Sequence, residues 1–187
     1  MAILGALIFG ISRINQRQEL ISPVSKDEKV LSLNKWFPKH LPACRQEFLK
    51  LMNEKTKQLG MKDTNFVNPT GLDEDSGNTY STAFDLAILT RHIIKHYPEV
   101  VEISKTEHII LPLTNTHQDY EMYSGINLLT TYPGVVGFKT GYTPEAGLTI
   151  ITLARKNNHE VIGVILGSDN RREETKELLD YSFAELK

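Results

Sequence analysis

Three apolar segments crowd into the last third of the chain: Val135–Thr140, Leu148–Lys156 and Glu160–Leu166. Asn157-Asn158 separates the last two, and an asparagine pair tolerates the left-handed backbone of a tight two-residue turn. The spacing predicts an antiparallel hairpin, with the first segment as a third strand. Glu173 and Glu174 then open a helix whose buried face carries Leu178, Leu179 and Phe183. A sheet built this way cannot be a helical bundle or a doubly wound parallel sheet, so the class is α+β, an antiparallel sheet flanked by helices.

The chain of 187 residues suits a single domain or slightly more. Two helices are expected upstream. Phe48, Met52, Lys55 and Leu59 share a face, with Gly60 where a C-terminal cap belongs. Ser81, Thr82 and Asp85 start the second, Leu86, Leu89 or Thr90, Ile93 and Tyr97 give its stripe, and Pro98 is expected to end it. Between them, residues 61–71 carry Asn65, Asn68, Pro69 and Gly71, which predicts a structured loop rich in side-chain acceptors. Ile109–Leu113 reads as a short strand and Asn115–Ser124 as a polar surface excursion.

The 21 Lys+Arg against 23 Asp+Glu leave a formal net charge of -2, and no basic excess points to nucleic acid. The lone cysteine, Cys44, rules out an intrachain disulfide and the usual zinc frameworks. With only Arg45 beside it, Cys44 is a poor thiol nucleophile. His92 and His96 stand i, i+4 but no third ligand joins them, so no metal or other cofactor is expected. Ala2–Ile11 is almost unbroken apolar sequence, too short for a span of about 20 residues. It reads either as a buried strand or helix or as the remnant of an anchor or signal.

Lys139-Thr140-Gly141, followed by Tyr142-Thr143, is the sharpest local signal. At a strand end an ammonium and a hydroxyl can serve one cleft, and glycine lets a substrate backbone come close. That chemistry suits a carboxylate.

In order along the chain, Phe48–Asn53, Leu59-Gly60-Met61, Thr64-Asn65-Phe66, Asn68–Leu72 and Ser81–Ala87 are followed by Asn127-Leu128-Leu129, Gly134–Gly137, Lys139–Thr143, Ala146-Gly147 and Val164–Gly167. This series resembles the serine D-alanyl-D-alanine carboxypeptidases, the low-molecular-mass penicillin-binding proteins. The resemblance implies a partial β-lactamase/transpeptidase-like fold over residues 45–187, after a divergent segment 1–44. It implies an extracytoplasmic, cell-envelope enzyme acting on peptidoglycan stem peptides that end in D-Ala-D-Ala, with β-lactams as further ligands.

By the same resemblance, Lys139, Thr140 and Gly141 belong to the catalytic cleft. Lys139 and Thr140 hold the substrate carboxylate, the Tyr142 N–H is an oxyanion donor, and Arg171 helps bind the carboxylate, with Arg172 one position away. The family's Ser-x-x-Lys nucleophile is not found in place. Ser32-Leu33-Asn34-Lys35 fits the bare tetrad, and Ser32 and Asn34 also spell a degenerate Ser-x-Asn; chance explains it too. Ser76-Gly77-Asn78 reads as a turn.

Two rivals to the enzyme therefore stay open: a non-catalytic protein keeping only the Lys-Thr-Gly half-site, and a related β-lactamase or esterase. Without the family's first half, a sheet edge is expected to be covered by Ala2–Ile11 or by self-association.

Overall fold

Asn157 and Asn158 take φ of 50° and 63°, the paired left-handed conformation of a type I′ turn. In the computed structural model, which describes residues 45–71 and 79–186, this turn joins the two longest strands. Ala2–Ile11, Ser32, Asn34, Cys44 and Ser76–Asn78 lie outside the described residues. The chain divides into two compact units between Ser81 and Thr82.

In the first unit, helix α1 covers residues 45–59. It ends as the sequence predicts: Gly60 has φ +77°, the Met61 N–H donates to Thr56 O at 2.9 Å, and the Gly60 N–H donates to Lys57 O at 3.1 Å. These two bonds make a Schellman cap, which serves carbonyls the helix leaves bare. The buried seam runs through Met52 and Thr56, where the sequence had suggested Lys55. Thr56 can be buried because its hydroxyl donates to Asn53 O.

Asn53 then ties α1 to the following loop. Its amide nitrogen donates to Phe66 O at 2.8 Å, and its Oδ1 accepts from the Phe66 N–H at 2.9 Å. Further along that loop the buried Asn68 Oδ1 accepts from the Thr70 N–H, the Thr70 hydroxyl and the Gly71 N–H. The acceptors expected of this segment thus replace the bonds that regular structure would make.

The second unit opens with α2, Ala83–His96, whose first turn is held by the Thr82 hydroxyl accepting from the Asp85 N–H. Pro98 starts a further helix, α3 (Pro98–Ser104), where the sequence had suggested only an end. Proline is well suited to a first helical position because it lacks an N–H that would go unpaired there. β1 (His108–Leu111) pairs antiparallel with β2 (Tyr120–Tyr123), so part of the expected surface excursion is a strand.

After the short α4 (Leu128–Thr131), strands β3 (Val135–Thr143), β4 (Gly147–Lys156) and β5 (His159–Ser168) form an antiparallel sheet in sequence order. Helix α5, Arg171–Glu185, follows. β3 and β5 are its edge strands among the described residues.

Register fixes which helix lies on which face. Gly137 opposes Leu153, and Gly163 opposes Thr152. Since Thr152 and Leu153 are successive residues of β4, they point to opposite faces. A Cβ on Gly137 would meet Ser104 of α3, whereas one on Gly163 would meet Leu178 and Leu179 of α5. Helices α3 and α5 therefore cover opposite faces. The α5 face holds a core of Ile126, Leu128, Tyr132, Val135, Ile150 and Ala154 against Leu179 and Phe183.

The close approach of α3 is testable. Gly137→Ala would put Cβ 2.3 Å from Ser104 Oγ at a φ of +153°, and is expected to cost about 1–3 kcal/mol in denaturant unfolding. Adding Ser104→Ala should recover only part, because Ser104 Cβ still lies at 3.2 Å.

Candidate functional site

Every residue of the Lys-Thr-Gly segment lies on edge strand β3, in the second unit. Alternation separates their side chains: Lys139 opposes Ile151 and shares the α3 face with Gly137, while Thr140 opposes Ile150 on the α5 face. The two functional groups thus leave opposite faces of one strand edge, a division that the tripeptide itself does not announce. The Lys139 ammonium folds back to donate to the Thr140 carbonyl. Tyr142 is 67% exposed.

Arg171, the first residue of α5, reaches back to the same strand. Its Nη1 donates to Gly141 O at 2.8 Å and to Thr149 O at 3.2 Å, and these two residues are register partners on β3 and β4. Arg172 points elsewhere, to Glu173 at 3.6 Å. Of the adjacent pair, Arg171 is thus the one that reaches β3.

The two cations interact. Burial of the half-buried Lys139 disfavours its charged form and is the larger cause of a lowered pKa; the Arg171 charge lowers it further. Neither side chain has a carboxylate partner among the described residues. Two positive groups with no carboxylate partner among the described residues favour an anion nearby.

The other face of the edge is bordered by the loop before α4. A Cβ on Gly125 would stand 3.2 Å from Thr140 Oγ1. Sequence reasoning missed this neighbour, which lies fifteen residues from Thr140 and carries no motif.

His92 and His96 stack at 4.3 Å, and the His96 Nδ1 lies 2.9 Å from His92 O. Among the described residues no group of three or more His, Cys, Asp or Glu side chains is placed to hold a metal ion.

Comparison with known proteins places the chain in a family. The sequence profile of D-alanyl-D-alanine carboxypeptidases, a peptidase family, matches residues 37–170. The chain belongs to this family. It is 37% identical over 148 residues to the D-alanyl-D-alanine carboxypeptidase DacF of Bacillus subtilis, covering 78% of this chain and 37% of the relative. To the carboxypeptidase DacA of Haemophilus influenzae it is 34% identical over 150 residues, covering 78% and 36%. The chain thus spans about a third of the length of these relatives.

Among solved structures, cefotaxime-bound penicillin-binding protein D2 of Listeria monocytogenes superposes with a TM-score of 0.65 at 33% identity, covering 73% of this chain and 55% of that one. The carboxypeptidase DacD of Francisella tularensis gives 0.68 at 25%, covering 74% and 45%. The fold of this family member is accordingly part of the penicillin-binding-protein and transpeptidase fold.

The coupling between the cations sets a prediction. Replacing Arg171 with leucine should raise the Lys139 pKa without restoring the ordinary lysine value, because burial remains; NMR titration of the lysine Nζ checks it. The sign for stability follows from linkage. The unfolded chain holds its lysine proton more tightly, so the protein gains stability as pH climbs from the depressed native value to the ordinary one, and Lys139→Met should flatten that rise.

Proposed function

We propose that this chain acts in the serine-type D-Ala-D-Ala carboxypeptidase reaction on peptidoglycan stem peptides, and that Lys139, Thr140 and Arg171 supply its grip on the terminal carboxylate. The observation that carries this reading is the pair of cations, Lys139 and Arg171, held on an open strand edge without a carboxylate partner among the described residues. A D-alanine carboxylate is the anion that family membership suggests. The relatives' names support the substrate class, and the Listeria neighbour binds cefotaxime.

In the reaction proposed, a serine oxygen attacks the carbonyl carbon of the penultimate D-alanine. The C–N bond then breaks, the terminal D-alanine leaves with the proton on its amine, and water hydrolyses the ester. The Tyr142 N–H would meet the developing oxyanion, where one preorganised donor contributes about 3 kcal/mol. A cell-envelope location goes with this substrate. No helix among the described residues is long and apolar enough to cross a membrane.

One observation favours a second reading, that of a non-catalytic protein which binds the D-alanine terminus without cleaving it. The described serines are Ser81, Ser104, Ser124, Ser168 and Ser182, and none is followed three residues later by lysine. The tetrad Ser32 to Lys35 lies outside the described residues.

A fluorescent penicillin separates the readings. Covalent labelling that disappears in Ser32→Ala supports the enzyme and assigns its nucleophile. If labelling is absent while N-acetyl-D-Ala-D-Ala binds to the wild type and loses at least tenfold in affinity in Lys139→Ala, the binding protein is supported instead. If neither ligand engages the folded chain, both readings fail.

A further inference from the structure

Glycine is needed where φ is positive or where a Cβ has no room. Gly125 is not among the positive-φ glycines, so its backbone conformation does not itself demand glycine. Its constraint is spatial: a Cβ would come within 3.2 Å of the Thr140 hydroxyl oxygen, tighter than an ordinary contact.

The loop around it has little room to yield. The Ser124 N–H donates to Glu107 O at 2.8 Å, the Ile126 N–H donates to Ser124 Oγ at 3.2 Å, and Ile126 is buried in the core of the α5 face. Gly125 itself is exposed, and Thr140 is half-buried. Among the described residues the Thr140 hydroxyl makes no hydrogen bond. A hydroxyl with no hydrogen-bond partner among the described residues, beside an exposed residue without a side chain, is a donor left available.

We propose that Gly125 is a positioning residue: by leaving out a side chain it keeps the approach to the Thr140 hydroxyl open, so that this hydroxyl can donate to the carboxylate of a D-alanine-terminated ligand. The inference rests on the carboxylate-binding reading above and deepens it. It assigns the loop 124–127 as the wall that decides what may stand beside the acidic end of the ligand. A valine at this position would cover the hydroxyl, and an alanine would crowd it.

The test is calorimetric titration of the whole chain with N-acetyl-D-Ala-D-Ala and with its C-terminal amide. The variants are Gly125→Ala, Gly125→Val, Thr140→Val and the double variant Gly125→Val/Thr140→Val. The wild type is expected to prefer the acid. Gly125→Val should weaken acid binding about tenfold, the loss of one hydrogen bond to a charged group, and should leave the amide nearly unchanged. Gly125→Ala should lose less.

Because both changes remove the same bond, the double variant should bind no more weakly than Thr140→Val. The inference is overturned if folded Gly125→Val keeps the wild-type preference for the acid, or if the two losses add. Should Gly125→Val fail to fold, Gly125→Ala decides: unchanged acid binding there refutes the inference. A folded wild type with no preference for acid over amide instead sinks the carboxylate reading itself, and this inference falls with it.

Discussion

The guanidinium of Arg171 ties the start of α5 to two strands that are already paired by their backbones. One nitrogen serves the carbonyls of Gly141 and Thr149, so the start of α5 is fixed to the β3–β4 hairpin at the place where the Lys-Thr-Gly segment ends. Charge-assisted bonds of this kind hold position more firmly than neutral ones. The same group raises the local potential at Lys139, adding to the cost that burial already imposes on its ammonium. Structure and chemistry are coupled there: the bonds that order the strand edge also leave it short of negative charge.

Among the described residues β3 is an edge strand, paired on one side only. On the α3 side, Gly137 lets Ser104 come close; on the α5 side, Gly125 borders Thr140. At both glycines a neighbour stands close to where a Cβ would be. Between these borders the edge presents an ammonium from one face and a hydroxyl from the other, joined by the backbone of residues 139–141.

Much of this architecture was legible in the sequence because its signals are local. Apolar runs mark β3 to β5, the asparagine pair marks the turn between β4 and β5, and Gly60 marks the end of α1. Strand β2 was not legible, since Tyr120 to Tyr123 mixes polar and apolar residues that are all exposed, leaving no buried face to set a period. Pro98 was misleading because the same residue can stop one helix or start the next, and only the path of the chain decides.

At the site, the residue types of Lys139, Thr140 and Arg171 were readable. The choice between Arg171 and Arg172 depends on side-chain direction, and the role of Gly125 on a contact between segments far apart in sequence. Such non-local information leaves no trace in spacing. The division of Lys139 and Thr140 between two faces of the sheet follows from strand alternation, yet it acquires meaning only once β3 is known to be an edge.

The most direct measurement of the central claim is a crystal structure of the chain soaked with D-alanyl-D-alanine. The account predicts the ligand's carboxylate at the edge of β3, within hydrogen-bond distance of the Lys139 ammonium or the Thr140 hydroxyl and on the side reached by Arg171. A ligand seated away from β3, or a Lys139 ammonium turned from it toward an acidic side chain, would contradict the account.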